Sequence, residues 1–94
     1  MYVIRVGNGT KNIEGVRTEI AGYTINVGYA LNKELNKNKE IQLEAVGKKA
    51  FENMMEAIDF AKKKSSFKIT RFSTEKSYND YGKVVSYFVV VERK

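Results

Sequence analysis

Residues 40–50 read Glu40-Ile41-Gln42-Leu43-Glu44-Ala45-Val46-Gly47-Lys48-Lys49-Ala50. Over residues 41–45 apolar and polar side chains alternate strictly, the mark of a strand that buries one face. Val46 and Gly47 end that strand, and the period then changes. From Lys48 to Lys64 the apolar positions Ala50, Phe51, Met54, Met55, Ala57, Ile58 and Ala61 recur at helical spacing. At 100° per residue they cover an arc of about 160°, wider than the roughly 100° that one sheet face needs. Phe60 falls outside even that arc. The excess predicts a second apolar contact, most simply a homodimer built on Phe51, Met54, Met55, Ile58 and Phe60.

Upstream, Tyr2 to Val6 is a short strand of β-branched and aromatic residues, closed by Gly7 and Gly9. Residues 7–17 read as a polar, glycine-punctuated connection in which Ile13 and Val16 are the only evident packing residues. Thr18 is the expected N-cap of a first helix, with Glu19 behind it. Ile20, Tyr23, Thr24, Val27, Leu31 and Leu35 form its apolar stripe to about residue 36. Gly22 and Gly28 fall inside this predicted helix at a cost of about 1 kcal/mol each, which implies that another backbone approaches closely there. Ile25 and Tyr29 lie off the stripe. Residues 36–39 are a turn.

Downstream, residues 67–72 read as a strand and residues 73–83 as a long polar turn bending at Asn79-Asp80-Tyr81-Gly82. Val84 to Val91 is apolar on both faces apart from Ser86, as in a central strand. The order β-α-β-α-β-β predicts an α+β fold, a two-layer sandwich. Its four-stranded mixed sheet carries both helices on one face. The 94 residues suit a single domain over 1–94.

Seventeen Lys and Arg stand against eleven Asp and Glu, a formal charge of +6 that favours polyanionic partners. There is no cysteine and no histidine, so disulfides and thiolate chemistry are excluded, and the commonest general base and metal ligand are missing. Gly7, Gly9 and Gly15 follow a strand but meet neither phosphate-loop spacing. Glu52 and Glu56 share a helix face with Lys48 and no further acid, base or nucleophile. No catalytic site, cofactor or metal is therefore expected. No apolar run approaches a membrane span, and Met1 leads into Tyr2-Val3-Ile4 without a basic leader, so an intracellular, cytoplasmic protein is expected.

The positive charge is informative by position. Lys11 and Arg17 follow the first strand. Lys48 and Lys49 open the second helix, where the dipole disfavours cations and a phosphate would reverse that balance. Arg71, Lys76 and Lys83 lie along the last hairpin with Tyr78 and Tyr81 among them, a mixture suited to groove entry or base stacking. These nine residues are the candidate nucleic-acid contacts. Lys62-Lys63-Lys64 has a plainer reading as cations at a helix C-terminus.

The run from Glu40 to Ala50, continued through Ala57-Ile58 to Lys62, resembles the second strand and second helix of the Alba family of small basic chromatin and RNA-binding proteins. Ile25-Asn26-Val27 to Leu31 is similar to that family's first helix, and Ser86 to Val91 to its final strand. The resemblance implies an Alba-like, chromosome-associated dimer that binds DNA or RNA with little sequence preference and without catalysis. Two positions depart from the family pattern. Asn8-Gly9 stands where a lysine pair follows the first strand, leaving Lys11 as the nearest cation, and Val46 stands for the arginine before the glycine. The same fold resembles a domain of a bacterial translation initiation factor and a small sporulation regulator. The alternative is accordingly a regulatory or structural dimer working through protein contacts.

Overall fold

The computed structural model describes residues 1–94. The alternating stretch is a strand, β4 (Glu40–Val46), and it runs directly into the longer helix, α2 (Lys48–Lys62). Before it come β1 (Tyr2–Val6), β2 (Thr10–Ile13), β3 (Val16–Glu19) and α1 (Tyr23–Leu35); after it come β5 (Phe67–Asn79) and β6 (Gly82–Arg93). The main sheet has the order β1-β4-β6-β5. β1 pairs parallel to β4, whereas β4 with β6 and β6 with β5 are antiparallel. β6 is central, as its two-sided apolar sequence requires.

Period-two geometry turns Ile41, Leu43 and Ala45 of β4 and Val89 and Val91 of β6 to one side of the sheet. There Leu31 and Leu35 of α1 and Ala50, Met54, Ile58 and Ala61 of α2 close a single core with them. Both helices thus lie on one face. Gly28 sits where they touch: a Cβ added there would come within 2.6 Å of Phe60 Cδ1 and 3.1 Å of the Ala57 carbonyl oxygen. The close approach expected at this glycine is present.

Three expectations are corrected. Residues 10–19 are not an irregular connection but a second, two-stranded sheet, with Lys11 opposite Thr18 and Ile13 opposite Val16. Its two-residue turn uses Glu14 at φ 52° and Gly15 at φ 81°, the positive pair that a tight hairpin requires. Thr18 therefore lies in a strand and caps nothing. Helix α1 starts five residues later, after Gly22, whose φ of 70° is incompatible with a helix interior. Residues 73–79 are strand rather than turn: β5 pairs with β6 as far as Asn79 opposite Gly82. The Asn79 side-chain oxygen accepts the Tyr81 N–H at 2.8 Å and fixes the bend.

Candidate nucleic-acid interface

β4 ends its pairing with β6 at Val46 opposite Ser86, while β5 and β6 continue together through Lys76–Val85 to Asn79–Gly82. Beyond the sheet they form a free two-stranded ribbon, about 10 Å long at roughly 3.4 Å per residue. Tyr78 and Lys83 are cross-strand partners and Lys76 is two residues from Tyr78, so these three share one face. That face continues back through Thr74 to Phe72, hence onto the helix side of the sheet, where Phe51 lies 5.9 Å from Phe72 and stacks on Tyr87 at 4.2 Å. Glu75 points to the opposite side. Tyr81, at the tip, is 98% exposed.

The start of α2 is pinned beside this ribbon, because the Gly47 N–H donates to the Val85 carbonyl at 2.8 Å. Gly47 has φ 89° and ψ 166°, a conformation open essentially to glycine alone, and it lets the chain turn sharply from strand to helix. On the other flank, Lys49 lines a shallow polar recess with Asn8, Gly9, Glu19, Thr24, Asn53 and Glu56. Neither helix has a side-chain cap or an acidic residue in its first turn; the Tyr23 N–H of α1 donates to the Ile20 carbonyl at 3.3 Å, and the N–H groups that follow it and those that open α2 are left bare at this end. Lys48 and Lys49 add charge beside those of α2.

Of the residues singled out from sequence, Lys48, Lys76, Tyr78 and Lys83 are brought together, along the ribbon and at its base, while Lys49 opens the same helix but faces the recess on the other flank. Arg71 is not among them: it pairs with Val90 after the irregularity at Ile69/Arg71 and lies on the sheet face away from the helices. Lys11 and Arg17 are both exposed, but they point to opposite faces of the β2–β3 hairpin. Val46, where a family arginine would stand, is solvent-exposed.

The apolar group proposed for self-association divides. Met54 is 0% and Ile58 2% exposed within the chain's own core, so neither is open to a partner. Phe60 turns to α1, covering Gly28 and meeting Tyr29 edge-on at 5.3 Å. Phe51 is half-buried in its aromatic stack. What remains outward is Met55, one turn from Phe51, with Ile69 and Phe72 on the edge strand β5.

Sequence reading missed Asn53 and the role of Tyr23. The Gly7 peptide is held by both: its N–H donates to the Tyr23 hydroxyl at 2.7 Å, and its carbonyl accepts the Asn53 amide at 3.1 Å. These bonds fix where the chain leaves β1 for the β2–β3 hairpin. The signal was present, because Asn53 is a polar residue at a buried position of the α2 stripe, three after Ala50. No cluster of three or more His, Cys, Asp or Glu that could hold a metal occurs, and no helix is long and apolar enough to cross a membrane.

A two-layer sandwich with an overhanging β-ribbon and two bare helix starts at one end defines a small class of α+β folds. Among solved structures this chain is similar to Alba from Thermoplasma volcanium, with a TM-score of 0.65 and 22% identity over 97% of this chain and 99% of that one. The fold is therefore Alba-like. No family model matches the sequence, and no curated protein matches it.

Proposed function

We propose that this protein is a non-enzymatic nucleic-acid-binding protein, a homodimer that engages the phosphate backbone with little sequence preference. The observation that carries the reading is the single ribbon face bearing Lys76, Tyr78 and Lys83, beside an uncapped helix start that bears Lys48 toward the ribbon and Lys49 on its other flank. The lysines supply phosphate contacts, the bare N–H groups suit an anion, and Tyr78 offers a ring to a base or sugar. Nothing resembling a base-reading helix accompanies them, so affinity comes from charge and shape. The Alba-like fold supports the same reading, and an association with chromosomal DNA or with cellular RNA follows from it. The dimer contact falls on Met55, Ile69 and Phe72 beside the unpaired edge of β5, a surface both apolar and open to strand pairing.

The test is a fluorescence-anisotropy titration on generic duplex DNA and RNA across a salt series. Lys76→Ala and Lys83→Ala each weaken binding alike on unrelated sequences and lower the slope of log K against log salt by about 1. Tyr78→Ala weakens binding with little change in slope, since stacking releases no counterions. Unchanged affinity and slope in both lysine variants would remove the ribbon from the interface.

A further inference from the structure

The +6 charge does not reside at the ribbon. Hydrogen bonds gather a different set of segments at the other end of the molecule. The Arg93 N–H donates to the Lys39 carbonyl at 2.9 Å, the Lys94 N–H donates to the Ser66 carbonyl at 3.3 Å, and the Arg93 guanidinium reaches the Leu35 carbonyl at 3.0 Å. The end of α1, the start of β4, the end of α2, the start of β5 and the end of β6 therefore meet there. Residues 33–40, 62–68 and 92–94 hold nine of the seventeen Lys and Arg but only three of the eleven carboxylates, a net +6. The rest of the chain, with eight of each, is neutral. The ends are well separated: β5 alone runs between them over 13 residues, and the longest dimension is 41 Å.

Local needs of the fold do not account for this charge. Arg93 is occupied in capping α1, and Lys39 pairs with Glu92 at 3.9 Å. Lys62, Lys63, Lys64, Lys68 and Lys94 have neither an ion-pair partner nor a side-chain bond to a helix carbonyl. The last carbonyls of α2 are already met by the N–H groups of Lys63, Lys64 and Ser65. Two helix C-termini supply about half a negative charge each, roughly one in all, which leaves most of the +6 uncompensated. On this surface Lys62, Lys94, Ser65 and Ser66, with Phe67, line an open recess of about 220 Å³, which brings together two ammonium groups and two hydroxyls of the kind that bind phosphate.

We propose that this end is a second phosphate-binding surface, so that one molecule holds two nucleic-acid segments at once. The first segment rests on the ribbon reading above; the second surface stands on its own charge and geometry. The test captures a fluorescent duplex on beads that carry an unrelated immobilised duplex, with the protein as the link, in a Phe72→Asp background that removes the proposed dimer contact so that the two ribbons of a dimer cannot form the link. This monomeric parent captures the second duplex, and the variants that follow are made in it. Substituting Lys62, Lys63, Lys64 and Lys94 together by Gln halves the duplexes bound per chain in solution and cuts capture at least tenfold, while circular dichroism stays unchanged because all four side chains are exposed. The Lys76→Ala/Lys83→Ala variant also loses capture but keeps binding at the far end. Full capture by the glutamine variant overturns the second surface and leaves the ribbon reading intact. Loss of all duplex binding in the glutamine variant, with none lost in the ribbon variant, leaves the far surface standing and removes the ribbon. Vesicles of phosphatidylglycerol form the last arm: if the glutamine variant fails to bind vesicles yet captures duplex normally, the surface serves a membrane and the proposal is wrong.

Discussion

At the scale of single residues, the α1–α2 contact depends on the missing side chain of Gly28. Gly28→Ala gains about 1 kcal/mol of helix propensity but sets a methyl group against Phe60 and the Ala57 carbonyl. Overpacking of this kind costs about 1–3 kcal/mol, and a carbonyl on the neighbouring helix cannot rotate away. A net loss of about 1 kcal/mol is expected from urea unfolding. The Gly28→Ala/Phe60→Ala pair should be less destabilised than the sum of its singles, since half of the clash is gone; strict additivity would place the contact elsewhere. Asn53 offers a different case. Asn53→Leu keeps the volume but leaves the Gly7 carbonyl without its partner, and a loss of about 1–3 kcal/mol is expected in the same assay. An Asn at a buried helical position is visible in sequence. Its partner, 46 residues away, is not.

At the scale of elements, the β4–α2 junction was fully legible, because the hydrophobic period changes from two to 3.6 across one glycine. The start of α1 was not. Thr18-Glu19 has the composition of a helix start, yet residues 16–19 pair with residues 10–13, and a strand partner offers the backbone more hydrogen bonds than a cap does. The Glu14-Gly15 turn lacks the Asn-Gly or Asp-Gly signature that announces such hairpins. The ribbon escapes the sequence pattern for a related reason: Ser73 to Asn79 has no buried face, so no alternation marks it, and only pairing with β6 makes it a strand. The start of α2 carries a prediction of its own. If Lys48 is kept there for a ligand, it opposes the helix dipole, and Lys48→Glu should raise stability by about 0.3–1 kcal/mol while weakening nucleic-acid binding. Thermal unfolding and anisotropy on one sample read both, and a variant that gained stability without losing affinity would remove Lys48 from the interface.

At the scale of the whole molecule, folding leaves little of the apolar surface of α2 for a partner. The arc on α2 is wide because one helix meets the sheet, α1 and the aromatic stack of Phe51, Tyr87 and Phe72 at once, so most of it is used within the chain. The proposed dimer then rests on Met55, Ile69 and Phe72, the last 53% exposed. Phe72→Asp should produce a monomer at a modest cost in stability, since the ring loses its contact with Phe51 while the charge is fully buried only where a partner covers it. Phe60→Asp, at the α1 contact, should instead unfold the chain. Light scattering of wild type that gave a monomer at high micromolar concentration would exclude the dimer.

The amino-acid chain read in isolation specifies the α+β class, the order of the main-sheet strands and helices, and most of the core. Each is encoded locally, in the periods of Ile41–Ala45, Ala50–Ala61 and Val84–Val91. It also specifies the total charge. Where that charge sits was decided only by the tertiary structure. Lys39, Ser66 and Arg93 are far apart along the chain and meet through backbone hydrogen bonds and strand register, so the net +6 gathers at one end and the ribbon at the other. Composition sums charge over the chain, whereas a phosphate responds to charge within about a Debye length, roughly 8–10 Å at ordinary salt. On a molecule 41 Å long, that difference makes the location of each lysine a property of the fold.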